Sequence, residues 1–361
     1  MNFTDISSDQ HSHTLKEILS QPSCWSECLR QLADSEELRS AAKLANASAE
    51  WLLIGCGSSY YLALAAASTF NHLGLPARAV PASEVLLYPG LHLPKGRRYV
   101  PVVISRSGLT SEALKAARML EKEQNVRTIA VTCAEGQPLE SLATVTLKLP
   151  AADEKSVVMT RSFTSMLLAL QYLAATVGQN TRFRDGLLGL PGQVSPLLHE
   201  LPAQLREFVE AHNYADYVFL AQGPLFGIAN EAMLKAAESS SSYTQVFHSM
   251  EFRHGPKSIA GPGTLLVFFI SESSYEAEFE VLREMRNLGS ATMVVANVVD
   301  SQTRKAADFS IELRLDAPEY ARVAAYAIWG QLIGVYTGLK KGLNPDSPKN
   351  LSRAVILDGQ H

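Results

Sequence analysis

The chain repeats itself at one fixed offset. Trp51-Leu-Leu-Ile-Gly-Cys-Gly57 aligns with Tyr217-Val-Phe-Leu-Ala-Gln-Gly223, Ala79-Val80 with Gln245-Val246, and Val102-Val-Ile-Ser-Arg-Ser107 with Phe268-Phe-Ile-Ser-Glu-Ser273. Gly57 to Gly223 is 166 residues, and so is Ser105 to Ser271. Three separated segments sharing one offset mark two copies of a domain-sized unit. A solenoid, whose period is far shorter, is excluded. A chain of 361 residues has room for two such units.

Within each copy, short apolar runs alternate with helical stretches. The strand candidates are 51–55, 77–81, 100–105, 127–132 and 143–149 in the first copy. In the second they are 217–221, 243–247, 264–270, 291–298 and 309–315. The runs are nearly continuous in Val, Ile, Leu and Phe, as strands of a parallel sheet covered on both faces should be. Helical patterns at 59–73, 110–124, 229–241 and 276–288 lie between them. The expected fold class is α/β, each copy a flavodoxin-like parallel five-stranded sheet flanked by helices. The expected boundaries are a helical lead-in 1–45, a first domain 46–185, a linker 186–204, a second domain 205–340 and a tail 341–361. The linker rests on Gly186, Gly189, Pro191, Gly192 and Pro196.

Composition removes several classes. The net charge of −4 gives no basic footprint for a dedicated nucleic-acid binder. No apolar run reaches the ~18 residues of a membrane span, and the first 30 residues lack a signal-peptide pattern. A cytoplasmic protein with reduced thiols is expected. Cys24 and Cys28 lie one helical turn apart without a second pair, which is not a zinc spacing, and His11 and His13 near the terminus read as solvated.

Four constellations carry chemistry. Ser105-Arg-Ser-Gly-Leu-Thr110 follows a strand and opens a helix, so three hydroxyls and free backbone N–H groups converge where a phosphate would bind. The competing reading is an ordinary N-cap. The second copy reads Ser271-Glu-Ser-Ser-Tyr275 there, with a carboxylate for Arg106 and no glycine, so one phosphate site per chain is expected, in the first copy. Gly55-Cys-Gly-Ser-Ser59 also follows a strand; Tyr60 in the third glycine position excludes a dinucleotide fingerprint. On the 229–241 helix, Glu231, Lys235 and Glu238 share one face at i, i+4 and i+7, either as a surface ion-pair ladder or as a functional cluster. Finally, His254 stands in Glu251-Phe-Arg-His-Gly-Pro256, where Gly-Pro fixes a tight loop around a group able to exchange protons near neutral pH.

Together these residues resemble the sugar isomerase (SIS) family in its double-domain form, over roughly residues 45–357. Gly57-Ser-Ser59, Ser83-Glu84, the 105–110 loop, the 231–238 helix and Arg253-His-Gly-Pro256 look like the isomerase half of glucosamine-6-phosphate synthase. Met159-Thr-Arg-Ser-Phe-Thr164, Phe252-Arg-His-Gly-Pro-Lys-Ser258 and Asn344-Pro-Asp-Ser-Pro348 look closer to the AgaS-type galactosamine-6-phosphate deaminase/isomerases and the second type of glucosamine-6-phosphate deaminase. The resemblance implies two tandem SIS domains, with no metal and no cofactor. It implies an aminosugar phosphate as substrate, and a homodimer whose active sites are shared between subunits. Ser105, Arg106, Ser107 and Thr110 would bind the phosphate; Gly57, Ser58, Ser59 and Val157 would line the sugar chain. Glu238 would be the base, Lys235 its support, and His254 the ring opener, reaching in from the neighbouring subunit. Two positions depart from the synthase pattern. Arg353 stands near the tail position of the synthase's lysine, and Tyr243 replaces a histidine.

The resemblance makes the expected reaction an aldose–ketose isomerisation of galactosamine-6-phosphate or glucosamine-6-phosphate with ammonia release. The synthase's glutaminase domain is not found among the roughly 45 residues ahead of the first copy, which favours releasing ammonia over consuming it. Plain sugar-phosphate isomerisation and fructosamine-phosphate deglycation are the alternatives. A non-catalytic sugar-phosphate sensor is a further one, but residues 14–45 carry Glu17, Glu27, Asp34, Glu36 and Glu37, and make a poor DNA-reading helix-turn-helix. The pair Glu238 and His254 separates enzyme from sensor, since a sensor needs a phosphate loop and no base.

Overall fold

In the computed structural model of the chain, residues 12–45 and 49–357 are described. His11, the first eleven residues of the expected lead-in and the last four of the tail lie outside them. Ten strands form two five-stranded sheets: β1 (Ala49–Gly55), β2 (Ala77–Pro81), β3 (Arg98–Ile104), β4 (Ile129–Thr132), β5 (Val145–Lys148), and β6 (Asp216–Ala221), β7 (Tyr243–His248), β8 (Thr264–Ile270), β9 (Ala291–Ala296), β10 (Phe309–Glu312). The orders are β2-β1-β3-β4-β5 and β7-β6-β8-β9-β10, the same topology twice, with all pairings parallel. The expected strands are all present among the described residues: β2 and β8 have the expected bounds, β1, β3, β6 and β7 extend one or two residues beyond an expected end, and β4, β5, β9 and β10 are two or three residues shorter.

The duplication holds at the level of register. Leu53 faces Ala79 across β1 and β2, and Phe219 faces Gln245 across β6 and β7, the same pairing displaced by the repeat. Gly57 and Gly223 also share a backbone state, each with φ +54 at the end of the first strand of its copy. A Cβ at either would meet nothing within 4 Å, so the left-handed turn, not space, selects glycine. Trp51 to Ile54 in β1 and Leu265 to Ile270 in β8 are buried on both faces, because helices cover both sides of each sheet.

The chain divides into two compact units. Among the described residues, one holds Gln21–Lys155, Arg161–Pro191 and 352–357; the other holds 12–20, Ser156–Thr160 and Gly192–Leu351. The lead-in is therefore split: helix His13–Leu19 goes with the second copy, helices Gln21–Ala33 and Glu36–Lys43 with the first. The segment 186–204 is helical, not an extended linker, in Thr181–Val194 and Leu197–Ala211. Phe183, Leu187, Leu190 and Val194 are buried at helical spacing while Gly189 and Gly192 fall on the exposed face, so apolar periodicity outweighs the glycines and Pro191. The expected 110–124 helix runs Ser111–Arg118 and then widens into a π-turn, Met119–Glu123. There Glu121 accepts hydrogen bonds from the backbone and hydroxyls of Thr128 and Thr144, just ahead of β4 and β5. Among the described residues, no helix is long and apolar enough to cross a membrane.

Candidate active site

In the first unit, β1 and β3 are neighbours, and strand order reverses between them, so the loops after both strands open at the same sheet edge. That is where open α/β sheets bind ligands. The structure thus brings Gly57, Ser58 and Ser59 to the same edge as Ser105–Thr110. Ser105, Ser107, Ser58 and Ser59 are buried. The Ser105 hydroxyl donates to Thr110 Oγ1 at 3.3 Å, and Ser107 Oγ accepts from the Leu109 N–H at 3.2 Å. Each bond uses an oxygen lone pair of Ser107 or Thr110, and their hydroxyl hydrogens have no acceptor among the described residues. Helix Ser111–Arg118 starts without a side-chain cap. The Ser111 N–H at that start donates to the Val355 carbonyl at 3.1 Å, so the two free O–H donors are what suits a phosphate. A recess of about 440 Å³ opens beside Ser107, lined also by Gln137, Asp153, Arg353 and Ile356.

Arg106 does not add its charge to that donor set. Its guanidinium is buried against Glu154 (3.3 Å) and donates to the Arg353 carbonyl at 2.7 Å. Glu154 is itself buried and accepts from the Ser162 N–H at 3.0 Å and from the Ser162 hydroxyl. Arg353 in turn pairs with Asp153 and donates to the Glu154 carbonyl. The two arginines therefore fasten the tail to the 153–154 turn beside the serine loop. The sequence reading missed Glu154. An arginine at the end of a buried strand demands a counter-ion, but this one lies 48 residues away.

In the second unit the Phe226–Ser240 helix carries the acid–lysine–acid face. Glu231 and Lys235 are fully buried, and the Glu238 side chain is 17% exposed. Lys235 Nζ lies 3.4 Å from Glu231 and hydrogen-bonds Glu238. The surface-ladder reading is excluded, because the charges are inside. Glycines on the Val323–Lys340 helix allow this: a Cβ on Gly334 would lie 2.6 Å from the Lys235 carbonyl oxygen. Helix ends and strand edges fix the rest. Ser241 closes the helix at φ +49, and Lys341 bonds the Ser240 carbonyl and Ser242 hydroxyl.

His254 is exposed, on the turn after Glu251–Arg253, and its ring makes no hydrogen bond with any described residue. The turn is anchored on both sides of it: Arg253 and Lys257 each lie 2.7 Å from Glu284, whose carboxyl those hydrogen bonds hold below its ordinary range. Val157 is half-buried and belongs to the second unit. Its segment is tied by the Ser156 N–H to Glu17 (3.3 Å) and by the Thr160 carbonyl to Gln331 (3.1 Å). Tyr243 opens β7 and is 67% exposed.

Residues 43–176 match the SIS domain model. Over 95% of its length it is 28% identical to the isomerizing glutamine–fructose-6-phosphate aminotransferase of Aeropyrum pernix, and it spans 57% of that relative. It is 27% identical to a Streptomyces coelicolor protein provisionally named D-galactosamine-6-phosphate deaminase AgaS, over 94% of this chain and 92% of that one. The crystal structure of glucosamine-6-phosphate deaminase from Thermotoga maritima superposes with a TM-score of 0.78 at 28% identity, covering 96% of this chain and all of that one.

Proposed function

We propose that the chain is an enzyme, an aminosugar-6-phosphate isomerase/deaminase built from two SIS domains, the second unit being the second. The observation that carries the reading is Lys235 buried between two carboxylates, of which Glu238 alone keeps a path to solvent. Burying Glu231 and Lys235 on one helix costs more than packing apolar side chains would, which supports a chemical reason for keeping them.

The donor loop of the first unit anchors the 6-phosphate through Ser105, Ser107 and Thr110, with Gly57, Ser58 and Ser59 lining the sugar chain. On the second unit, Glu238 takes the C2 proton of the open-chain aminosugar and returns it to C1, leaving a C2 imine. Lys235 holds Glu238 in place. Water adds to the imine carbon and ammonia leaves, giving the ketose phosphate. His254, exposed on its anchored turn, opens the pyranose ring in a neighbouring subunit of a homodimer. Similarity to proteins named as aminosugar-phosphate deaminases supports ammonia release over plain isomerisation.

The test is a panel of galactosamine-, glucosamine- and N-acetylated 6-phosphates, with ammonia and ketose phosphate both measured. Ammonia equimolar with ketose from a free aminosugar is the expected result. Ketose formation from neutral sugar phosphates with no ammonia from any member would leave only the isomerase reading, and no turnover with retained binding would favour the sensor.

A further inference from the structure

The two copies treat one duplicated acid differently. The offset that pairs Ser105 with Ser271 also pairs Glu112 with Glu278. Glu112 is half-buried on the first turn of its helix and makes no hydrogen bond to the 105–110 loop. Glu278 is fully buried and accepts from three groups of its own copy. These are the Ser249 hydroxyl at 2.6 Å, the Ser274 hydroxyl at 2.6 Å and the Ser271 N–H at 3.4 Å. Ser271 and Ser274 lie in the loop that corresponds to the phosphate loop, and Ser249 follows β7.

The local cause is the helix start. The first copy needs Gly108 at φ +63 and begins its helix at Ser111. The second copy has no glycine there, passes through a tight turn over Glu272–Ser274 and begins its helix at Tyr275, two residues earlier in the repeat. With the helix started there, Glu278 is buried against Ser249, Ser274 and Ser271, whereas in the first copy the position of Ser274 is Gly108, without a hydroxyl, and the Ser105 N–H donates to the Val131 carbonyl at 3.0 Å. We propose that Glu278 is a built-in anion occupying the second copy's phosphate-type loop, so that the chain takes up one phosphate and not two. Burial pushes its carboxyl up to about 7, even though the hydrogen bonds from Ser249, Ser274 and Ser271 pull it down. At pH 8 it carries its charge. The loop's hydroxyls each have a partner among the described residues: Ser271 and Ser274 lie 2.7 Å apart, Ser274 bonds Glu278, and Ser273 bonds Glu319, which sets a second carboxylate against an incoming anion.

The comparison rests on the phosphate reading of the first loop, so the test has an arm independent of it. Glu278→Ala, refolded at pH 8, is melted in sodium formate and in sodium chloride at equal ionic strength, beside wild type and Glu278→Gln. Formate, a free carboxylate small enough for the vacated space, should restore a saturable part of a Tm loss of about 4 °C or more in Glu278→Ala. It should do nothing specific for wild type or for the filled Glu278→Gln. No formate response beyond chloride in a folded Glu278→Ala would overturn the proposal. Should that variant not fold, Glu278→Ser replaces it in the same melt. The second arm titrates wild type with inorganic phosphate: one equivalent per chain, lost in Ser107→Ala, is expected. Phosphate that persists in Ser107→Ala and is lost in Ser271→Ala would place an open site in the second loop and overturn it. Failure of the Ser107 arm alone would count against the first loop and leave the formate result to decide this one.

Discussion

At the scale of single residues, the Ser107 hydroxyl is a donor open to an outside ligand. Ser107 accepts a bond from Leu109 and keeps its hydrogen for an outside acceptor. Ser107→Ala should remove one charge-assisted hydrogen bond of roughly 1.5–3 kcal/mol, weakening sugar-phosphate binding about 10- to 150-fold. Isothermal titration checks it, and unchanged affinity would count against the loop. Glu154 acts through Arg106: Glu154→Gln leaves a buried guanidinium without its counter-charge. The expected result is a higher KM for the phosphorylated sugar with kcat nearly kept, read from steady-state kinetics, and a loss of stability of about 3 kcal/mol or more from denaturant melts. The sequence made the position of the serine loop legible, since a dense run of hydroxyls between an apolar strand and a helix marks the end of a sheet strand. It did not reveal where Arg106 points, because its counter-ion comes from another loop and no local pattern links the two.

Among the elements, the contact between helices Phe226–Ser240 and Val323–Lys340 sets where Lys235 and Glu238 stand. Gly330, Gly334 and Gly338 line one face of the second helix, and a Cβ on Gly334 would press on the backbone of Lys235. Gly334→Ala should therefore overpack the interface by about 1–3 kcal/mol and lower kcat more than it changes KM, measured by thermal melts and kinetics. The Asn344-Pro-Asp-Ser-Pro348 motif has a structural use as well. Asp346 accepts from the His13 and Thr14 N–H groups and from the Ser12 and Thr14 hydroxyls, capping helix His13–Leu19. Burial would raise its carboxyl, but those hydrogen bonds prevail and hold it below the usual range. A depressed folded value means the stabilisation is present above the ordinary pKa of ~3.9 and fades as pH falls through the folded one. The gap in Tm between wild type and Asp346→Asn should be full at pH 6 and shrink below about pH 4; a gap that widens with acid would contradict the assignment. Strands were easy to read here, since each is a nearly unbroken apolar run. The 186–204 stretch was not, because its density of glycines and prolines, Pro191 inside the first helix and Pro202 inside the next, masks the buried Phe183–Leu187–Leu190–Val194 spacing. The early start of the Tyr275 helix, which decides the fate of Glu278, depends on the absence of a single glycine.

At the scale of the whole molecule, duplication has produced two sheets of one topology whose loops have diverged in chemistry. The first keeps the Ser107 and Thr110 hydroxyl hydrogens without an acceptor among the described residues; the second carries the buried Glu231–Lys235 pair beside Glu238, the exposed His254 turn and a loop whose donors meet Glu278. The 166-residue offset made the repeat visible, whereas the exchange of segments between units, with residues 12–20 joining the second copy and 352–357 joining the first, has no signature in composition. In the proposed homodimer, Glu238→Gln and His254→Asn should each be nearly inactive and regain roughly a quarter of wild-type activity after unfolding and reassembly together, as mixed dimers form one intact site. Mass spectrometry showing mixed dimers without recovery would place His254 outside the partner's site. The base itself is tested most directly in deuterium oxide, with wild type and Glu238→Gln each given the aminosugar 6-phosphate that releases ammonia. Wild type should release ammonia and carry solvent deuterium into the sugar at C1 or C2, while Glu238→Gln should bind the phosphate normally and lose both signals by a factor of about 10² or more. Near-normal ammonia release or deuterium exchange in the variant would contradict Glu238 as the base.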